Sequence, residues 1–359
     1  MDSFAELGPR VRDAARWRSL QVLFSLTAAS ALTGALVACG GGGAGDAPPA
    51  PAPTPVPVPT PAPTPSTPIA AQLTVPTPVG YDADRLAAFN RLNEIRLSAG
   101  LGMVAQNTMM DQAAQAHAQW MVANDSFVHG EAAGTPGFTG ENYARRVEAF
   151  GYVPVGGGEV LAQGVSGGVG VDLLVNTAYH RSLILAFEPV DVGIGWSANR
   201  AADVVTPLVI DAAMPGTDAV RGLGQSAQPS IRGAAIWPLD GAQAVPLRLG
   251  LEIPNPVPTQ DVSTLGTPVS VTVESSKTIS TTQFTLTNSA TGTVIQTHLL
   301  TNRNDTNFLI PESFIAAIPV APLAPSTTYR VDFSGSTVQF PSGAVVAMSR
   351  TWSFTTAAQ

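Results

Sequence analysis

Histidine is the residue type in this chain whose placement most directly suggests chemistry. Only four histidines occur in 359 residues, and three of them, His117, His129 and His180, fall in one stretch. Neutral imidazole is the commonest metal ligand in proteins, and it also transfers protons near pH 7. Their concentration in one stretch therefore predicts a metal-binding or proton-transferring site there.

Several other chemistries are disfavoured by motif and composition. The residues around Ser166 lack the G-x-S-x-G spacing of a hydrolase nucleophile. The glycine-rich segment 156–170, which we expect to be a flexible loop, lacks the GKS or GKT of a phosphate-binding loop. The formal charge of -8, without a basic cluster beyond the first twenty residues, argues against a nucleic-acid partner.

The single cysteine, Cys39, predicts a lipid anchor rather than a disulfide. An arginine-rich start is followed by apolar and small residues up to Ala38, which is the pattern of a secretory signal peptide. The sequence Leu36-Val37-Ala38-Cys39 resembles the lipobox of bacterial lipoprotein precursors, in which the cysteine is acylated and the preceding peptide is removed. We therefore expect a lipoprotein signal peptide over residues 1–38, and a lipid bilayer as the partner of acylated Cys39.

A membrane-spanning helix is the rival interpretation of this segment, since about 20 apolar residues can span a bilayer. Interruption by Ser, Thr and Gly, and the lack of a basic flank, disfavour it. Gly40, rather than aspartate, follows the cysteine, which by resemblance to Gram-negative lipoproteins favours the outer membrane. We expect the protein to be periplasmic or surface-exposed.

Residues 39–78 are expected to form a disordered, proline-rich linker behind the acylated cysteine. Proline occupies nearly every second position over much of this segment. Such a composition favours polyproline II and cannot build a core. At about 3.1 Å per residue, the proline-rich part would span roughly 65 Å and hold the folded domains off the membrane.

Amphipathic spacing predicts helices after the linker. Asp82 or Asp84 can cap a helix that ends near Gly100, and Asn107 can cap a second helix with His117 on its apolar stripe. Two further helices are predicted over 139–150 and 171–178, followed by strands over 190–196 and 204–210.

Seven short motifs in this region follow, in order, the pattern of the bacterial CAP (SCP-like) superfamily. They are Leu92-Asn93-Glu94-Ile95-Arg96, the run from Ala113 to Met121, Phe127-Val128-His129, Gly151-Tyr152, Gly158-Glu159, His180-Arg181 and Val192-Gly193-Ile194-Gly195. Residues 79–230 therefore resemble a CAP/SCP-like domain. The resemblance implies an α-β-α sandwich with a largely antiparallel central sheet.

The resemblance also implies a cleft lined by two histidines and a glutamate. Carried over motif by motif, these are His129, His180 and Glu159, which could hold Zn²⁺ or another divalent cation with one open position. Glu141 is the alternate to Glu159, but it precedes the Gly-Tyr motif, and a carboxylate there suits the first turn of a helix. His117 is either a further cleft residue or a hydrogen-bonded core residue.

From residue 231 onward, helical spacing gives way to strand-like alternation. Alternating segments at 268–273, 284–287, 328–333 and 351–355 predict a β-sandwich over 231–359 that resembles bacterial immunoglobulin-like domains. His298 is expected to be an ordinary strand residue. The fold class is thus α/β of the α+β kind, a CAP-like α-β-α sandwich followed by an all-β immunoglobulin-like sandwich.

Three functions stay open on the sequence alone. The leading expectation is an extracytoplasmic, lipid-anchored protein that binds a small apolar ligand or a cell-envelope component in its His/Glu cleft. The alternatives are a divalent-metal-dependent hydrolase that uses the same cleft, and a structural or adhesive surface protein. One fold hosts many functions, so the resemblance does not choose among them.

Overall fold

The architecture is given by a computed structural model that describes residues 71–165, 167–197, 207–215, 228 and 231–359. The predicted signal peptide, Cys39 and the larger part of the predicted linker lie outside these residues. Among the helices of the described residues, none is both long enough and apolar enough to span a bilayer.

The first part of the described chain combines helices with a four-stranded sheet. In chain order the elements are α1 (Ala83–Ser98), β1 (Ala105–Gln106), α2 (Thr108–Ala123), α3 (Tyr143–Ala149), β2 (Pro154–Gln163), α4 (Gly167–Val175), α5 (Tyr179–Ile184), β3 (Asp191–Trp196) and β4 (Pro207–Pro215). The strand order is β1-β3-β4-β2, and only the short β1 pairs in parallel.

The first two helices begin where local capping predicted. Asp82 accepts a hydrogen bond from the backbone N–H of Arg85, and Asn107 accepts from the N–H groups of Met109 and Met110. These side chains satisfy donors that the first turn of a helix leaves without a partner. The predicted starts of α1 and α2 are therefore confirmed.

Two local predictions were wrong. The third helix begins after Asn142, whose side chain caps it, so the exposed Glu141 precedes α3 instead of lying in its first turn. The segment 156–170 is not a loop, because most of it belongs to β2 and to the start of α4. Its glycines carry no side chains, so no alternation pattern marks the strand in the sequence. Pairing with β4 along the full length of β2 stabilises the strand despite the low strand propensity of glycine.

The sheet is covered on both faces, which gives the α-β-α sandwich. One face carries α1, α4 and α5 over a core that includes Val160, Ile194 and Ile210, and the other carries α2 over Leu161 and Val209. Glycines in β3 permit the second contact: a Cβ added at Gly193 or Gly195 would overlap the backbone of α2. The paired glycines of the Val192–Gly195 motif therefore set the distance between helix and sheet.

Gly193→Ala is expected to lower the free energy of unfolding by about 2 kcal/mol or more, because α2 must move to admit the methyl group. Urea denaturation of the purified chain measures this change. Gly168→Ala is the control, since its nearest new contact, with the Arg91 side chain at 3.4 Å, is ordinary packing. It should leave stability unchanged or raise it by up to about 1 kcal/mol, because alanine favours helix. Equal effects of the two substitutions would contradict the packing argument.

The second part of the described chain is all β. Its strands are β5 (Ala235–Trp237), β6 (Ala242–Val245), β7 (Val269–Thr272), β8 (Lys277–Asn288), β9 (Val294–Ile295), β10 (Thr297–Thr301), β11 (Phe314–Pro319), β12 (Thr328–Gln339) and β13 (Val345–Thr356). They form sheets of order β10-β11-β7-β5 and β6-β13-β12-β8-β9. Val271, Ile315, Phe333 and Trp352 belong to one core formed from both sheets. The predicted fold class is confirmed, and His298 lies in β10 as expected.

All described residues fall within one compact unit, Thr64–Gln359. The outward face of the β10-β11-β7 sheet contributes Phe314 and Ile318 to a further apolar core. This core also contains Ala178 and Tyr179 from the start of α5. The short helix α5 is thus packed between the four-stranded sheet and the all-β second part of the chain, residues 231–359, which we call the β region. Its position decides where the histidine of the His180-Arg181 motif lies.

Candidate functional site

A cavity of about 740 Å³ lies beside β2 and α5. His129, Glu159 and His180 all line it, together with apolar side chains such as Val160 and Leu183. The structure therefore brings the three expected cleft residues to the wall of one cavity. Their individual partners show how each is held.

His129 and Glu159 form a direct pair. The Nδ1 atom of His129 lies 2.9 Å from Oε1 of Glu159. The glutamate side chain is only 2% exposed, whereas that of His129 is 54% exposed. A buried carboxylate thus orients an imidazole that remains open to solvent and to any ligand in the cavity.

Glu159 is kept ionised by its surroundings. Arg146 donates from Nη2 to Oε2 of Glu159 at 2.6 Å and from Nη1 to the carbonyl of His129 at 2.9 Å. Burial alone would raise the pKa of Glu159, but the hydrogen bond from His129 and the charges of His117 and Arg146 outweigh it. The pKa of Glu159 is therefore held below its usual value.

His117 is buried next to this pair and does not line the cavity. Its Nδ1 lies 2.9 Å from Oε1 of Glu131, its Nε2 lies 3.1 Å from the carbonyl of Val128, and the same Nε2 is 3.8 Å from Oε1 of Glu159. Each ring nitrogen faces an oxygen acceptor, so the arrangement is satisfied when both carry a proton. Of the two interpretations open for His117, the structure places it in the core.

Glu131 completes the buried network. Burial opposes its ionisation, but hydrogen bonds from His117 and from the backbone N–H groups of Thr139 and Gly140 outweigh that cost, so the pKa of Glu131 is lowered. Two carboxylates are thus buried beside Arg146 and His117. Opposite charges compensate one another, which is the condition for burying them at all.

His180 lies on a different part of the cavity wall. Its Nδ1 atom is 3.2 Å from Oε1 of Glu252, a residue of the β region, and 3.0 Å from the hydroxyl of Thr177. The side chain is only 13% exposed. The two histidines implied by the family resemblance therefore have separate carboxylate partners, Glu159 for His129 and Glu252 for His180.

This arrangement does not fit a three-ligand metal site. Within the described ranges, no group of three or more His, Cys, Asp or Glu side chains is placed to hold a metal ion. The carboxylate of Glu159 already contacts Arg146 and His129, and His180 Nδ1 faces Glu252. A site for Zn²⁺ or another divalent cation built from His129, His180 and Glu159 stays a prediction that these contacts do not support. Glu141, the alternate to Glu159, is exposed and does not line the cavity.

Sequence reasoning missed Arg146, Glu131 and Glu252. Arg146 stands five residues before Gly151, which is the arginine position of the family's RxxxxGY motif, so that signal was available. Glu252 is a lone acid between Leu251 and Ile253, and its apolar neighbours are the only local sign of burial. Glu131 carries no sequence signal that separates it from a surface acid.

Glu159→Gln is expected to lower the free energy of unfolding at pH 7 by about 3 to 5 kcal/mol, because the buried Arg146 loses the carboxylate that it contacts at 2.6 Å and retains only that of Glu131, 4.0 Å away. Both buried glutamates have a lowered pKa in the folded state. Their stabilisation is complete above the unfolded-state pKa of about 4.3 and is lost as the pH falls towards the folded-state values. The variant should therefore lose less stability than the wild type between neutral and acid pH.

Chemical denaturation at a series of pH values measures both effects. Glu148→Gln is the matched control, since this glutamate pairs with Arg145 on the surface, where the two side chains are 38% and 65% exposed. Such exposed pairs contribute about 0 to 1 kcal/mol. If Glu159→Gln destabilised the chain no more than this control does, the buried network would not be a stabilising unit.

The seven motifs predicted an α-β-α sandwich with a cleft lined by histidine and glutamate. The structure has this fold, and His129 and Glu159 line its cavity. Residues 89–207 match the model of the CAP family, described as the cysteine-rich secretory protein family. The match supports a CAP superfamily protein, with the CAP domain at these residues. Cys39 lies outside the matched segment, so this CAP domain contains no cysteine.

Two solved structures are similar over part of the chain. One is an outer surface protein from Borrelia burgdorferi, with 15% identity and a TM-score of 0.31 over 36% of this chain and 90% of that protein. The other is an extracellular protein containing an SCP domain from Bacillus anthracis, with 22% identity and a TM-score of 0.30 over 36% of this chain and 40% of that one. A comparison with curated proteins gave no match.

Proposed function

We propose that this chain is an extracytoplasmic, lipid-anchored protein whose CAP domain binds a small apolar ligand or a cell-envelope component. The observation that carries the proposal is the cavity of about 740 Å³ beside β2 and α5. Its volume lies within the range of roughly 300 to 1,000 Å³ that is typical of small-molecule sites. The location rests on the sequence, through the lipobox-like residues that end at Cys39.

The chemistry of the walls favours a ligand with an apolar body and one polar group. Val160, Leu183 and Ala186 supply apolar surface, while His129 and Glu159 supply a polar pair. Few polar groups in a mostly apolar wall orient a ligand, and the apolar surface supplies most of the affinity. A hydroxyl or carboxyl group of the ligand would meet the accessible imidazole of His129.

Ala186→Trp is expected to weaken ligand binding about tenfold or more, because the indole would occupy cavity volume that the ligand needs. A dansyl-labelled undecanoic acid is the probe, and its fluorescence is titrated with the purified full-length chain against a detergent blank. Ala290→Trp is the control, since Ala290 is exposed in the turn after β8 and does not line the cavity. Saturable binding that both variants retain equally would exclude this cavity as the site.

Hydrolysis in the same cavity is the second candidate, and the pairing of His129 with Glu159 favours it. A carboxylate that holds one ring nitrogen of a histidine leaves the other free to accept a proton from water, which is the arrangement of a general base. This form of the hydrolase hypothesis needs no metal ion.

Turnover of p-nitrophenyl esters by the full-length chain tests this candidate. If His129 is the base, His129→Ala should abolish the turnover, whereas His298→Ala, in β10 and away from the cavity wall, should preserve it. Turnover that survives His129→Ala, or no turnover by the wild type, would count against catalysis by this pair.

A further inference from the structure

The β region forms part of the cavity. Ile253, Pro254, Leu309 and Pro311 line it together with residues of the CAP domain. They come from two loops, one before β7 and one before β11, that contact each other through a hydrogen bond from Asn307 to the carbonyl of Asn255. Part of the cavity wall is therefore built by residues that the CAP family match does not cover.

Glu252, in the loop before β7, connects that loop to α5. Its buried carboxylate accepts hydrogen bonds from the backbone N–H groups of Ala178, Tyr179 and His180, at 2.8, 2.6 and 3.2 Å. Ala178 occupies the N-cap position of α5 and has no side chain that could cap the helix. A carboxylate from the β region thus takes the role that a local Ser, Thr, Asp or Asn usually plays.

Asp305 makes a second connection of the same kind. The hydroxyl of Tyr179 donates to Oδ1 of Asp305 at 2.6 Å and accepts from Nδ2 of Asn307 at 2.8 Å. The backbone N–H groups of Asn307, Leu309 and Ile310 also donate to the carboxylate of Asp305. These bonds hold the loop in one conformation, in which the neighbouring Phe308 takes a positive φ of 58°, uncommon for so bulky a residue.

The two loops present apolar side chains of two kinds. Ile253 and Leu309 are 76% and 48% exposed and also line the cavity. Leu251 and Phe308 are 79% and 87% exposed, lie in the same loops, and do not line it. Each loop therefore contains a large apolar residue at the cavity wall, Ile253 or Leu309, and, one or two positions away, a comparable residue outside it.

We infer that the β region determines which ligands the cavity admits: Ile253 and Leu309 form its outer, specificity-determining wall, and Glu252 is a positioning residue for His180 and α5. This inference rests on the proposed binding function and deepens it. A ligand with a long apolar chain must pass along the outer wall, whereas a short one is held by the CAP domain alone. The β region should therefore select ligands by the length of the apolar chain.

The test of the outer wall compares Ile253→Trp with Leu251→Trp in the full-length chain. Displacement of the dansyl-labelled probe by n-octanol and by n-dodecanol gives the selectivity of each variant. Ile253→Trp should weaken dodecanol about tenfold while changing octanol less than about threefold, and Leu251→Trp should change neither. Leu309→Trp and Phe308→Trp form a second matched pair in the other loop, for use if the first pair does not fold.

Equal selectivity of the wall variants and their controls, with probe binding intact in the wild type, would overturn the specificity role while the proposed function stands. Absence of probe binding by the wild type would overturn both.

Hydrogen exchange tests the positioning role of Glu252 without any ligand. Glu252→Gln should accelerate exchange at the amides of Ala178, Tyr179 and His180 and should weaken probe binding. Asp261→Asn is the control, because Asp261 caps a short 3₁₀ helix, Val262–Thr264, from an exposed position. Faster exchange with unchanged probe affinity would make Glu252 a structural cap only, and unchanged exchange would overturn its role altogether.

Discussion

The carboxylate of Glu252 is the contact that fixes the first turn of α5 against the β region. A buried carboxylate loses its hydration and must recover that free energy from hydrogen-bond donors. The first turn of α5 offers three backbone donors that its own sequence leaves without a partner. The N–H groups of α5 satisfy the carboxylate, and the carboxylate satisfies the N–H groups. A shift of α5 alone, or of the loop at Leu251–Ile253 alone, would therefore leave buried polar groups without partners and lower the stability of the fold.

The network around Glu159 applies the same principle inside the CAP domain. Arg146, His117 and two glutamates would each be costly to bury singly, and they become acceptable only as a set. Of this set, Glu159 lines the cavity, and there it holds the accessible imidazole of His129. Rigid charges behind an accessible imidazole are a way to present one reactive or hydrogen-bonding group in a defined orientation.

Local signals in the sequence predicted those features that local physics decides. The caps at Asp82 and Asn107 depend on neighbours two or three residues away and are visible in the sequence. The approach of His129 to Glu159 followed from motif order, through the family resemblance. Glu252 lies 72 residues from His180, and its role arises from how two folded parts meet, so no pattern near either residue could reveal it. The strand β2 was missed because glycines at 156–158 carry no side chains from which alternation could be read.

Because two parts of the chain form the wall of the cavity, the cavity is complete only after both parts have been made and have folded together. Synthesis proceeds from the amino terminus, so the residues from α1 to β4 are made before the loops that contain Ile253 and Leu309. Until those loops dock, the cavity lacks the lining of Ile253 and Leu309, and the first turn of α5 lacks the carboxylate of Glu252. Under the proposed function, ligand uptake follows the docking of the β region against α5, and a chain truncated after β4 would lack the part of the cavity wall that Ile253 and Leu309 supply.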